Sequence, residues 1–100
     1  MLKHIVIWKF ADNAEGKTKA ENLAYVKERL YALVPIIPQI KSMEIGIDVS
    51  GTEMSGDMAL VIEFESRDDL KIYAEHPEHK KVSAYVSKVR TARTVVDYIF

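Results

Sequence analysis

At 100 residues, 48% of them hydrophobic, with three Pro and four Gly, the chain is expected to form a single globular domain over residues 1–100. Fourteen Lys and Arg against fifteen Asp and Glu leave a formal charge of -1, which supplies no global field for attracting nucleic acid or an anionic membrane. The absence of Cys excludes disulfides and thiolate chemistry, and no apolar run is long enough for a membrane span.

Lys3 to Phe10 reads as a strand, rich in β-branched and aromatic residues and apolar on both alternating sides. Its alternation with Lys3 and Lys9 is unlike a signal peptide, so a cytoplasmic protein with no membrane association is expected. From Glu15 to Val34 the period changes to that of a helix. Leu23, Val26, Leu30, Leu33 and Val34 form its apolar stripe, and Pro35 closes it. Lys41 to Val49 alternates again, with Met43, Ile45, Ile47 and Val49 on one side, and Ser50 to Asp57 is a polar connection. Met58 to Phe64 is the third strand. Ser66 and Asp69 form a helix-start signal for a segment through Leu70 and Tyr73 that breaks at His76-Pro77. Pro77 begins a second helical segment bearing Val82, Tyr85, Val86 and Val89, and Arg93 to Phe100 is the last strand. The basic residues Lys80, Lys81, Lys88, Arg90 and Arg93 read as a solvated helix face.

The order β, α, β, β, α, β defines an α+β fold of ferredoxin-like type. Right-handed crossovers place both helical regions on one face of a four-stranded antiparallel sheet of order 4-1-3-2. The other face then carries Ile5, Ile7, Ala59, Val61, Val96, Tyr98 and Phe100 with nothing over them. A domain this small buries only about 60–70% of the surface its unfolded chain exposes, so an identical sheet packed face to face is the expected cover.

The start M-L-K-H-I-V-I-W-K-F, the mid-chain L-V-I-E-F-E-S, the H-P-E-H of residues 76–79 and the final V-V-D-Y together resemble the stress-responsive dimeric α/β-barrel family over nearly the whole chain. The resemblance implies a homodimer whose two sheets form a barrel. Most members of the family have no settled activity. One plant branch, similar to olivetolic acid cyclase, closes polyketides by a cofactor-free aldol condensation.

Four residues are candidates for chemistry. Antiparallel pairing of the first and last strands sets His4 opposite Asp97, Val6 opposite Val95 and Trp8 opposite Arg93, so Asp97 would orient the His4 ring. A buried His-Asp pair that only satisfies a polar spot is the plainer reading. His79, in the first turn after Pro77, lies at the positive end of the helix dipole, which favours the neutral imidazole that can accept a proton. Tyr73, one turn before the break, could direct its hydroxyl into the same space. In the Y-x-x-H-P-x-H run, Tyr73 and His79 match the positions that the cyclase-like branch uses for carbonyl binding and proton abstraction. The alternative is a helix-breaking corner with no catalytic part. A pocket lined by Val6, Trp8, Val26, Leu30, Leu60, Ile62, Val82 and Val95 is expected between sheet and helices. Trp8 would narrow it, and the first helix turns Val26 and Leu30 inward with Tyr25 and Tyr31 on neighbouring faces. Both features favour a substrate different from that of the cyclase branch.

Three His at 4, 76 and 79 lack a compact ligand spacing, so no metal is expected, and no phosphate loop, nucleophile elbow or dinucleotide fingerprint is present. No cofactor is therefore expected. The third strand lacks the basic residue, glycines and outward aromatics of an RNA-recognition strand, which argues against nucleic acid. Three functions remain open: a cofactor-independent lyase or cyclase acting on a polyketide-like molecule, a non-catalytic homodimeric module that holds a small apolar metabolite, and an oxygenase or haem-handling relative.

Overall fold

The computed structural model describes residues 1–100. Nine elements follow in order: β1 (Leu2–Phe10), β2 (Asn13–Ala14), β3 (Lys17–Thr18), α1 (Lys19–Tyr31), β4 (Ser42–Ile47), β5 (Met58–Phe64), α2 (Arg67–Glu75), α3 (Pro77–Val89) and β6 (Arg90–Ile99). The main sheet has four strands in the order β4-β5-β1-β6, every neighbouring pair antiparallel. This is the ferredoxin-like order 4-1-3-2 anticipated above.

The central pair β1 and β5 carries the core because their helix-facing residues are apolar except for His4. Leu2, Val6, Trp8 and Phe10 on β1, with Met58, Leu60, Ile62 and Phe64 on β5, are all buried beneath the helices. From above, α1 contributes Leu23, Val26 and Leu30, and α3 contributes Val82, Val86 and Val89 at the spacing of one helix face. Every residue of β6 is exposed, so the helices stop short of that edge strand.

Several expected boundaries move. The first helix starts at Lys19 and not Glu15, because Asn13 to Thr18 fold into a two-residue hairpin with Glu15 and Gly16 at φ 52° and 73°. Both central residues of such a turn need positive φ, which Gly16 takes without cost. Thr18 then caps the helix: it accepts the N–H of Glu21 on its hydroxyl while the Glu21 carboxylate takes the N–H of Thr18. The helix ends at Tyr31, leaving Val34 exposed, and Ile37 and Ile40 in the following turns enter the core in its place. Strand β4 stops at Ile47, so Val49 lies in the open, while β6 begins three residues before the expected Arg93.

On the face without helices, Ile7, Val96, Tyr98 and Phe100 are exposed and Ile5, Ala59 and Val61 half-buried, which makes the apolar patch expected from the sequence.

Candidate active site

Helix α2 opens where Ser66 Oγ accepts the N–H of Asp69 at 3.2 Å, with Asp68 and Asp69 at the positive end of the dipole. It ends at His76, whose extended backbone makes it both the last cap of α2 and the first cap of α3. His76 Nδ1 accepts the N–H of Glu78 at 3.1 Å and Pro77 takes the first helical position, so the break costs few backbone hydrogen bonds. The corner turns α3 back over the sheet. Tyr73 and His79 meet across it, their ring centroids 4.3 Å apart and their planes at 47°.

Tyr73 is 1% exposed, and its hydroxyl has no hydrogen-bond partner. Burial pushes its pKa above the ordinary phenol range, and the nearby Arg93 charge offsets this only in part. The group keeps its proton and is a donor without an acceptor. The Nδ1 of His79 lies 3.1 Å from the carbonyl oxygen of Ala74, which can only accept, so Nδ1 carries the hydrogen and Nε2 keeps a free lone pair. Burial lowers the pKa of His79, the Ala74 bond opposes this, and the charges of His4, Arg93 and His76 add to the lowering. A donor held protonated thus stands beside a base held neutral, the separation that acid–base chemistry requires.

The register of β1 with β6 is the one expected: His4 opposite Asp97, Val6 opposite Val95, Trp8 opposite Arg93. His4 Nδ1 and the Asp97 carboxylate are hydrogen-bonded, and the His4 ring centre lies 6.4 Å from that of Tyr73. All four candidate residues therefore gather at one end of the sheet.

His4, Tyr73 and His79 border a cavity of about 230 Å³ that β1 floors with His4, Val6 and Trp8 and β5 with Leu60, whereas Asp97 touches His4 without lining it. Leu30 of α1 and Tyr73 of α2 close it, and His79, Val82, Ser83, Val86 and Ser87 form its α3 wall. Of the expected lining residues, Val6, Trp8, Leu30, Leu60 and Val82 border it. Val26 instead lines a separate groove between α1 and α3, because the α1 turn at Leu30 is the one that reaches over the sheet end. Ile62 is fully buried beneath other side chains, and Val95 stands on the part of β6 that the helices leave bare.

Two features escaped the sequence reading. The indole N–H of Trp8 is buried with no acceptor, a second orphaned donor on the same cavity. Arg90 and Arg93, taken as a solvated helix face, line the cavity from β6. The pairing of Arg93 with Trp8 carried the signal for Arg93, since directly opposed residues share a face. His76 lies outside the cavity, and no three His, Cys, Asp or Glu side chains gather closely enough to hold a metal ion. No helix is long and apolar enough to cross a membrane.

A ferredoxin-like sheet with one helical face, one bare apolar face and a cavity at the Tyr73–His79 corner defines a protein of the α/β-barrel class. The chain belongs to the stress-responsive A/B barrel domain family, whose model matches residues 2–100. It is similar to a dimeric ferredoxin-like protein of unknown function from Bacteroides fragilis, at 34% identity and TM-score 0.88, covering 99% of this chain and 95% of that one. It is also similar in fold to a dimeric ferredoxin-like protein of unknown function from Thermobifida fusca, at 22% identity and TM-score 0.84, covering 99% and 90%. The hydroxynitrile lyase of Passiflora edulis shares the fold at 16% identity and TM-score 0.81, covering 99% and 92%. Among curated proteins none matches the chain.

Proposed function

We propose that this protein is a homodimeric, cofactor-independent lyase or cyclase in which Tyr73 holds a substrate carbonyl and His79 removes a proton from the adjacent carbon. The observation that carries the reading is the unpartnered Tyr73 hydroxyl beside a neutral imidazole whose Nδ1 is already committed to Ala74. A carbonyl oxygen at Tyr73 supplies the missing acceptor. Transfer of the α-proton to His79 Nε2 leaves an enolate, its charge on the oxygen that Tyr73 holds, and an imidazolium. The enolate carbon then attacks a second carbonyl, or the reverse step breaks that bond, and His79 returns the proton. His4, oriented by Asp97, borders the same space and stands as a further proton-transfer group. The hydroxynitrile lyase among the structural relatives is consistent with carbonyl chemistry on this fold.

The homodimer is supported by the bare apolar face and by the dimeric relatives. The cavity lies below the roughly 300–1,000 Å³ of drug-sized sites, which favours a compact substrate over an extended polyketide.

The test is catalysed exchange of the methyl protons of acetophenone in D2O, followed by NMR, because it isolates the deprotonation step. The protein is expected to accelerate exchange, and His79→Ala to lower it by about 10²–10⁴-fold while the circular dichroism stays native. Exchange no faster than in buffer, or unchanged in the folded His79 variant, overturns the assignment. A second reading, a non-catalytic module that holds an apolar metabolite, is favoured by the Val6, Leu30, Leu60, Val82 and Val86 wall. It predicts that acetophenone raises Tm without exchange.

A further inference from the structure

The cavity carries more positive charge than the proposed proton transfer uses. Arg90 and Arg93 both line it, neither has a carboxylate within 4.0 Å, and no Asp or Glu lines it with them. Their presence on the same side is not what a regular strand gives, since residues three apart on a strand point to opposite faces. The pairing of β6 with β1 shifts between Lys9 and Phe10, so that Arg93 opposes Trp8 and Arg90 opposes Phe10, both of which face the helices. A β-bulge therefore turns the second guanidinium onto the cavity side, a use of bulges common beside functional sites.

The cross-strand neighbour of Arg93 adds an independent observation. Trp8 is 6% exposed, and its indole N–H, which can only donate, has no partner. A buried orphan donor beside unpaired guanidinium groups calls for an acceptor that also carries negative charge. Guanidinium groups match a carboxylate in both charge and planar geometry.

We propose that Trp8, Arg90 and Arg93 form a carboxylate subsite of this cavity, and that its ligand is a compact oxo acid. The carboxylate lies at the β6 end and the carbonyl at Tyr73. The carbonyl half rests on the function proposed above; the carboxylate half stands without it. Asp97, the carboxylate nearest in the β6 register, is engaged by His4 and leaves the arginines free for ligand.

The experiment is titration of the protein with benzoate and with benzamide, its neutral counterpart of similar shape, by calorimetry at low and moderate salt. Benzoate is expected to bind about tenfold or more tighter than benzamide, as a charge-assisted hydrogen bond implies. Arg93→Gln and Trp8→Phe are expected to reduce that preference, Arg90→Gln to reduce it less, and salt to weaken benzoate alone. Equal binding of the two probes, no binding of either, or a preference unchanged in folded Arg93→Gln overturns the subsite. Benzoate preference without acetophenone exchange retains the subsite and rejects the catalytic reading; exchange without benzoate preference does the reverse.

Discussion

The ring of His79 stands 4.3 Å from the ring of Tyr73, yet the one hydrogen bond recorded for either side chain is that of His79 to the carbonyl of Ala74. The backbone of α2 thus fixes the histidine tautomer and leaves the tyrosine hydroxyl unanswered. A buried donor without an acceptor costs about 1–3 kcal/mol, a cost that a bound carbonyl would relieve.

Tyr73→Phe should therefore stabilise the unliganded protein while damaging its chemistry. The expected gain is about 1 kcal/mol, which for a domain of this size raises Tm by roughly 4–8 °C. Thermal unfolding beside acetophenone exchange checks both halves, and a variant less stable than the parent would show that the hydroxyl is satisfied in solution.

The lowered pKa of His79 sets the sign of two pH effects. Exchange catalysis should rise with pH along a limb whose midpoint lies below 6.5, the ordinary value for imidazole, and level off above it. Between the folded pKa and 6.5 the unfolded chain binds more protons than the folded one, so stability is full above 6.5 and falls as pH drops through the folded value. Urea unfolding from pH 7.5 to 4.5 should show a shallower loss in His79→Gln than in the parent.

Val96 sits opposite Ile5 near the middle of the bare face and is 54% exposed in the single chain. Val96→Lys should place an ammonium group inside the proposed dimer interface and raise the concentration for half-dissociation at least about tenfold. Sedimentation velocity at micromolar concentration would read this as a shift toward the mass of one chain; an unshifted dimer would place the interface elsewhere.

Gly56 packs against β1 so closely that a Cβ there would overlap Ile7 Cγ2 and come within 3.3 Å of the Trp8 carbonyl oxygen. That carbonyl accepts the N–H of Asp57 at 2.7 Å, and the Asp57 carboxylate accepts the N–H of Phe10 at 2.8 Å. Gly56→Ala should cost about 1–3 kcal/mol by forcing this junction apart. Its urea midpoint is the measurement, and an unchanged midpoint would mean that the loop yields freely.

The strand pairing was legible because β1 and β6 run antiparallel with few alternatives, so aligning their ends set His4 against Asp97 and Trp8 against Arg93. The Tyr73–His79 corner was legible because Pro77 can only begin a helix, not continue one. What escaped depended on local geometry that periodicity does not encode. The Glu15–Gly16 turn interrupts a segment whose residues all suit a helix, and the cap at Thr18 decides the start. Ile37 and Ile40 reach the core from irregular backbone, where no period marks them. Arg90 and Arg93 looked like surface charge because the bulge that unites them leaves no signature in residue type.

The outermost strand β6 runs ten residues, Arg90 to Ile99, with one edge paired to β1 and the other without a strand beside it. Such an edge is a template on which further chains can add and grow into insoluble fibres, and charged side chains along it are a common defence. The same arginines that serve the ligand thus guard the solubility of the fold. Neutral replacements there carry a second liability at high concentration, seen as light scattering and not as lost affinity.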